Sequence, residues 1–155
     1  MKTALVLALA LVAGPSLADA EERLAPVTDP LTRKECGECH MAFPPSLLPA
    51  RSWDRIMATL SDHFGDDASL PADDTAAIAA YLRANAGDVR RWGESHHDKE
   101  RLALDQAPMR FTETRAFAHE HRRYTPDRLA SRGIKSIVDC VACHRGAEQG
   151  YFDDD

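Results

Sequence analysis

Every cysteine of this 155-residue chain lies in one of two copies of a single pattern, CGECH at 36–40 and CVACH at 140–144. Two residues separate the cysteines in each copy, and a histidine follows at once. A disulfide framework has no use for that histidine. A zinc ribbon sets its two CxxC halves about 15–20 residues apart, whereas most of the chain lies between these two. A thioredoxin-like site needs a βαβ alternation, which the sequence lacks. CxxCH is instead the attachment motif of c-type haem. The two thiols add to the two vinyl groups of one haem, and the spacing lets one turn of chain straddle the porphyrin edge. The adjacent histidine then lies under the ring and ligates iron through its imidazole. Cys36, Cys39 and His40 are therefore expected to hold one haem c, and Cys140, Cys143 and His144 a second. Their large apolar faces would serve as core in a chain with few aromatic residues.

The first twenty residues, MKTALVLALALVAGPSLADA, read as a secretory signal peptide. Lys2 is the positive start, Ala4 to Ala13 an apolar run too short to span a bilayer, and Ala18-Asp19-Ala20 a small-residue cleavage site. The mature chain is expected to begin near Glu21, to be periplasmic, and to be monomeric without stable membrane insertion. Its charge is uneven. Residues 21–88 hold six Lys/Arg against twelve Asp/Glu, and residues 89–155 hold twelve of each, three of those acids in the Asp153–Asp155 tail. An acidic first half and a second half with basic clusters (Arg90-Arg91, Arg122-Arg123) disfavour nucleic acid and suit transient docking of protein partners.

The mature chain reads as all-α. A short helix over Leu31 to Cys39 leads into the first motif. MAFPPSLLPARS follows as a proline-rich loop that passes beneath a haem, where a backbone carbonyl can accept the Nδ1–H of His40. SWDRIMATLSDHFG has helical spacing, with Ser52 as cap, Gly65 as stop, and Trp53, Ile56, Met57, Leu60, His63 and Phe64 on one face. PADDTAAIAAYLRANAG is a second helix, capped by Asp73 or Asp74 and ended by Gly87, with Ile78, Tyr81 and Leu82 buried. Residues 88–110 are a charged connector. FTETRAFAHEHRRY is helical with Thr112 as cap, and TPDRLASRGIKSIVDC is turn-rich and broken at Gly133.

The distal side of each iron decides the function class. An open site binds gas or peroxide, whereas a second strong ligand leaves electron transfer. For the first haem the spacing favours His63, a histidine on an apolar stripe. Met57 is its rival, and Met41 stands too close to the proximal histidine. For the second, His96, His97, His119 and His121 compete. His121 shares a face with Phe117 and Tyr124, and His119 points the other way. His96 and His97 remain the fallback.

These segments carry a resemblance. KECGECHMAFPPSLLPARSW, DHFGDDASL, RFTETRAFAHEHRRY and CVACHRGAEQGYF are similar to the small periplasmic dihaem cytochrome c family, often called DHC. Phe64-Gly65-Asp66-Asp67-Ala68 and Ala147-Glu148-Gln149-Gly150 are its most specific parts. The resemblance implies two lobes, 21–88 like a class I cytochrome c and 89–155 with little regular structure. It implies two bis-histidine haems, His40 with His63 and His144 with His121. It further implies an electron carrier rather than an enzyme, serving a small oxygen-binding monohaem cytochrome c and fed by a membrane cytochrome b of the b561 type. The alternatives are a dihaem peroxidase-like or gas-binding protein with one open iron, and a non-haem thiol protein.

Overall fold

The computed structural model describes residues 23–89 and 107–152. The leader, the connector residues His96 and His97, and the acidic tail lie outside the described residues. Among the described residues, five short α-helices and several 3₁₀ turns make up the regular structure, and two isolated bridges pair extended residues.

Helix α1, Pro30–Cys36, starts on a strong signal. The Asp29 carboxylate accepts from the Thr32 amide at 2.7 Å and from its hydroxyl at 2.8 Å, with Pro30 just inside the helix. It stops three residues short of the expected Cys39. The Gly37 N–H closes on the Arg33 carbonyl, and the rest of the first motif is a turn.

Helix α2, Ala50–Ala58, differs from its expectation at both ends. Ser52 does not cap it. Pro49 takes the cap position in extended conformation, and the free Ala50 N–H is met by the Asp88 carboxylate at 2.8 Å. Ser52 is buried inside the first turn, and its hydroxyl makes no hydrogen bond. At the far end the helix breaks at Thr59, not Gly65. The Thr59 hydroxyl bonds back to the Arg55 and Ile56 carbonyls, and a 3₁₀ turn, Leu60–Asp62, follows. His63 then pairs with Asp66 across a two-residue turn in which Phe64 (φ 58°) and Gly65 (φ 106°) are both left-handed. Glycine takes that conformation freely, and Phe64 does so at a cost.

Helix α3, Ala72–Ala84, packs on α2. Pro71 precedes it and no side chain caps it. Asp73 and Asp74 lie inside the first turn, where they oppose the positive helix end. It ends at Asn85, whose side-chain amide donates to the Tyr81 carbonyl, so Gly87 is not the stop. Leu48, Trp53, Ile56, Met57, Ile78, Leu82 and Ala86 form the core of this half. The Trp53 indole N–H, buried with them, donates to the Pro45 carbonyl at 2.7 Å.

Among its described residues the second half has two six-residue helices. In α4, Arg115–Glu120, the cap is Thr114, accepting from the Phe117 amide, rather than Thr112. Helix α5, Pro126–Ser131, falls in the stretch expected to be turns. Its signals are present in the sequence: Thr125 caps, Pro126 opens, and Gly133 closes with the Ile134 amide reaching back to the Leu129 carbonyl.

Among the described residues the halves are joined at several places. Phe111, from the second half, is 8 % exposed and completes the core of the first. The Arg55 guanidinium donates to the Ala107 carbonyl at 2.8 Å. At the other end Arg23 bridges Tyr151, the Leu24 amide donates to the Gly150 carbonyl at 2.8 Å, and the Arg23 guanidinium lies over the Tyr151 ring.

Candidate functional site

The two CxxCH motifs sit in tight turns, and none of their four cysteines is in a disulfide. Burial pushes the Cys36 thiol up, and pushes Cys140 up to about 11. That is opposite to a redox-active CxxC, where the thiol is lowered. Among the described residues no three His, Cys, Asp or Glu side chains converge as a cage for a metal ion.

At the first motif the proline-rich loop turns directly under His40. The His40 Nδ1 lies 2.7 Å from the Met41 carbonyl. A carbonyl only accepts, so Nδ1 carries the proton and Nε2 keeps its lone pair for iron. Phe43 lies over the imidazole, centroids 4.7 Å apart and planes 14° apart. Across from it stands His63, its centroid 6.2 Å from that of His40 and its plane at 24°. His63 gets there through the break at Thr59 and the turn at Phe64-Gly65, not along the helical stripe. Its pKa is lowered by burial first, then by His40 and Arg110, with Asp66 opposing. The neutral imidazole so favoured is the form that ligates metal. Arg110 stacks on Phe64 at 3.9 Å, and Phe64 meets the His63 ring edge-on. Met57 stays within α2, buried in the core.

The second site repeats the separation. His144 and His121 also have centroids 6.2 Å apart, with planes at 73°. The His121 Nδ1 donates to the Phe117 carbonyl at 3.1 Å, again leaving Nε2 free. Phe117 lies face to face with His121, at 3.9 Å and 6°. Phe152 flanks His144 at 5.7 Å. His119 is 71 % exposed and reaches only Glu120. His96 and His97 lie outside the described residues. Tyr124, Leu129, Ile134 and Ile137 line an open cleft of the second half, and neither His121, His144 nor a motif cysteine lines it.

The donor set and spacing fit haem c at both places. An iron–nitrogen bond is about 2 Å and the ring centre lies about 1.1 Å beyond the nitrogen, so imidazoles on opposite faces of one iron have centroids roughly 6.2 Å apart.

Spacing put Phe117 on the face of His121, but it did not reveal Phe43 against His40. Phe43 follows His40 by three residues and Phe117 precedes His121 by four, and both lie against the imidazole they flank. Phe111 joins them, 4.8 Å from Phe43 and 5.5 Å from Phe117.

Residues 32–152 match the protein family described as dihaem cytochrome c. The chain is similar to the diheme cytochrome c from Rhodobacter sphaeroides, with 44 % identity and a TM-score of 0.73 over 83 % of this chain and 99 % of that one. A second structure, of DHC purified from Rhodobacter sphaeroides, gives 43 % identity and 0.64 over 82 % and 99 %. The diheme cytochrome from Shewanella baltica OS155 gives 34 % and 0.62 over 80 % and 86 %. No curated protein sequence matches the chain.

Proposed function

The chain belongs to the dihaem cytochrome c family, and from that premise we propose that it is an exported electron carrier whose two haems c are each closed by two histidines. His40 and His63 hold the first iron, and His144 and His121 the second. The observation that carries this reading is the 6.2 Å separation in both histidine pairs. Each haem, when bound, supplies a one-electron ferric/ferrous couple.

The chain's own residues make that couple fast and low in potential. The Met41 and Phe117 carbonyls hold His40 and His121 in the Nδ1–H tautomer and fix both rings. Two histidines at each iron would leave no place for a further ligand, and no protein group would have to move when its charge changes. No methionine raises the potential. Thioethers from Cys36, Cys39, Cys140 and Cys143 would keep each haem attached whatever its redox state.

With both haems bound, the chain would take an electron from one protein and pass it to another. The proposed source is a membrane cytochrome b of the b561 type, and the proposed acceptor a small oxygen-binding monohaem cytochrome c. The leader read in residues 1–20 supports a periplasmic location. No helix among the described residues is long and apolar enough to cross a membrane.

Absorption spectra of oxidised and reduced protein, with and without carbon monoxide, test the ligand set. Two low-spin haems, no Met–iron charge-transfer band and no gas uptake are expected. High-spin haem or rapid gas binding at either site would mean an open iron, and would favour a ligand-binding or peroxidase-like role.

A further inference from the structure

The two histidine pairs share a separation but not an angle. His40 and His63 are near parallel at 24°, whereas His121 and His144 are crossed at 73°. For two imidazoles on one iron, both ring planes contain the N–Fe–N axis. The angle between them is then the rotation of one ligand against the other. In low-spin ferric haem the unpaired electron occupies a pair of d orbitals that overlap the imidazole π systems. Parallel rings act on one orbital of the pair and split it from the other. Crossed rings act on both alike and leave them nearly degenerate, with large orbital angular momentum.

The crossed pair has an identifiable cause. Phe117 constrains His121 twice: its ring covers the imidazole face at 3.9 Å and 6°, and its carbonyl takes the Nδ1–H at 3.1 Å. Rotation of the imidazole about its iron bond would break the hydrogen bond and drive the ring into Phe117. Phe117 is itself backed by Phe111, which is anchored in the core. At the first site Phe43 covers His40 instead, at 4.7 Å and 14°, and His63 is met only edge-on by Phe64.

We propose that Phe117 is a positioning residue that sets the plane of His121 across that of His144, making the two haems of this chain electronically distinct. The proposal rests on the bis-histidine reading above. It assigns the near-parallel ligand pair to the CGECH haem and the crossed pair to the CVACH haem.

Electron paramagnetic resonance of the oxidised holoprotein at low temperature tests it. Two low-spin signals of equal weight are expected, one rhombic and one with a single very large g value. Phe117→Leu removes the flat face and keeps the backbone carbonyl. It should shift or broaden the large-g signal and leave the rhombic signal in place. Phe117→Tyr, which keeps the flat face, should restore the wild-type spectrum. Two rhombic signals in the wild type, or a large-g signal indifferent to Phe117→Leu, would overturn the proposal while sparing the ligand assignment. A high-spin ferric signal in the wild type would overturn the ligand assignment itself. If the leucine variant fails to fold, Phe117→Met removes the flat face with less loss of volume and reads the same signal, and two rhombic signals in the wild type would still overturn the proposal.

Discussion

His63 occupies a position made by its neighbours' backbone. Its amide donates to the Asp66 carbonyl at 2.7 Å, and Phe64 and Gly65 take up left-handed conformations to close that turn. Replacing His63 by alanine should open one iron without detaching the haem, because Cys36 and Cys39 still bind it. The reduced variant is expected to take up carbon monoxide at about half of its total haem. Spectroscopic titration with the gas measures this, and uptake of none would remove His63 from the ligand set. Gly150 is constrained differently. Its φ is 89°, and a Cβ there would collide with the Leu24 carbonyl oxygen. Gly150→Ala should therefore free Arg23 and Leu24 from the C-terminal turn. Amide exchange at Leu24, now bonded to the Gly150 carbonyl, should speed up. An unchanged rate would show that this tie is unimportant.

At the scale of elements, α1 presents the first motif and depends on its cap. Thr32 donates to Asp29 through both amide and hydroxyl, and these bonds hold the Asp29 pKa below the ordinary carboxylate value. A carboxylate lowered in the folded state contributes stability that is complete above its unfolded pKa, about 3.9, and is lost as pH falls through the lowered folded value. The Thr32 amide shift should then titrate with a midpoint below about 3.9. Asp29→Asn keeps a capping oxygen and should abolish that titration, whereas Asp29→Ala should cost about 1 kcal/mol. A Thr32 shift that titrates in the asparagine variant would point to another group. The breaks between elements matter as much as the elements. Had α2 continued past Thr59, His63 would have projected from a rigid helix and not from the turn that carries it to His40.

At the scale of the molecule, the two halves share one aromatic column. His40, Phe43, Phe111, Phe117 and His121 follow one another at centroid separations of 4.7, 4.8, 5.5 and 3.9 Å. Phe111 is its centre and is buried in the core of the first half. Phe111→Ala should cost about 3–5 kcal/mol and perturb both haem environments together. Thermal unfolding followed separately at the two haems measures this, and loss confined to one would show that the halves are energetically independent. The uneven charge of the chain bears on partners. If docking with a charged acceptor is steered electrostatically, electron-transfer rates should fall from about 0.01 to 0.15 M salt, as the Debye length shrinks from about 30 to 8 Å. Rates indifferent to salt would leave an apolar docking face as the alternative.

The amino-acid order alone determined the cofactor chemistry and the helical class, because both are written in local patterns. Thioether attachment needs two thiols and a histidine within five residues, and CGECH and CVACH supply them. Helical periodicity marked most of the buried faces of α2 and α3, and Thr125-Pro126 with Gly133 spelled out α5 although its stretch read as turns. Helix ends were less legible, since α2 is capped by Asp88, 38 residues after Ala50. No short window contains that partner. The bracing of the histidines was likewise decided by the tertiary structure. Whether a carbonyl such as that of Met41 points at an imidazole, or Phe111 reaches between Phe43 and Phe117, depends on where proline-rich loops and short helices come to rest. That is set by the packing of distant side chains into one core, with ring planes following from contacts no linear spacing encodes.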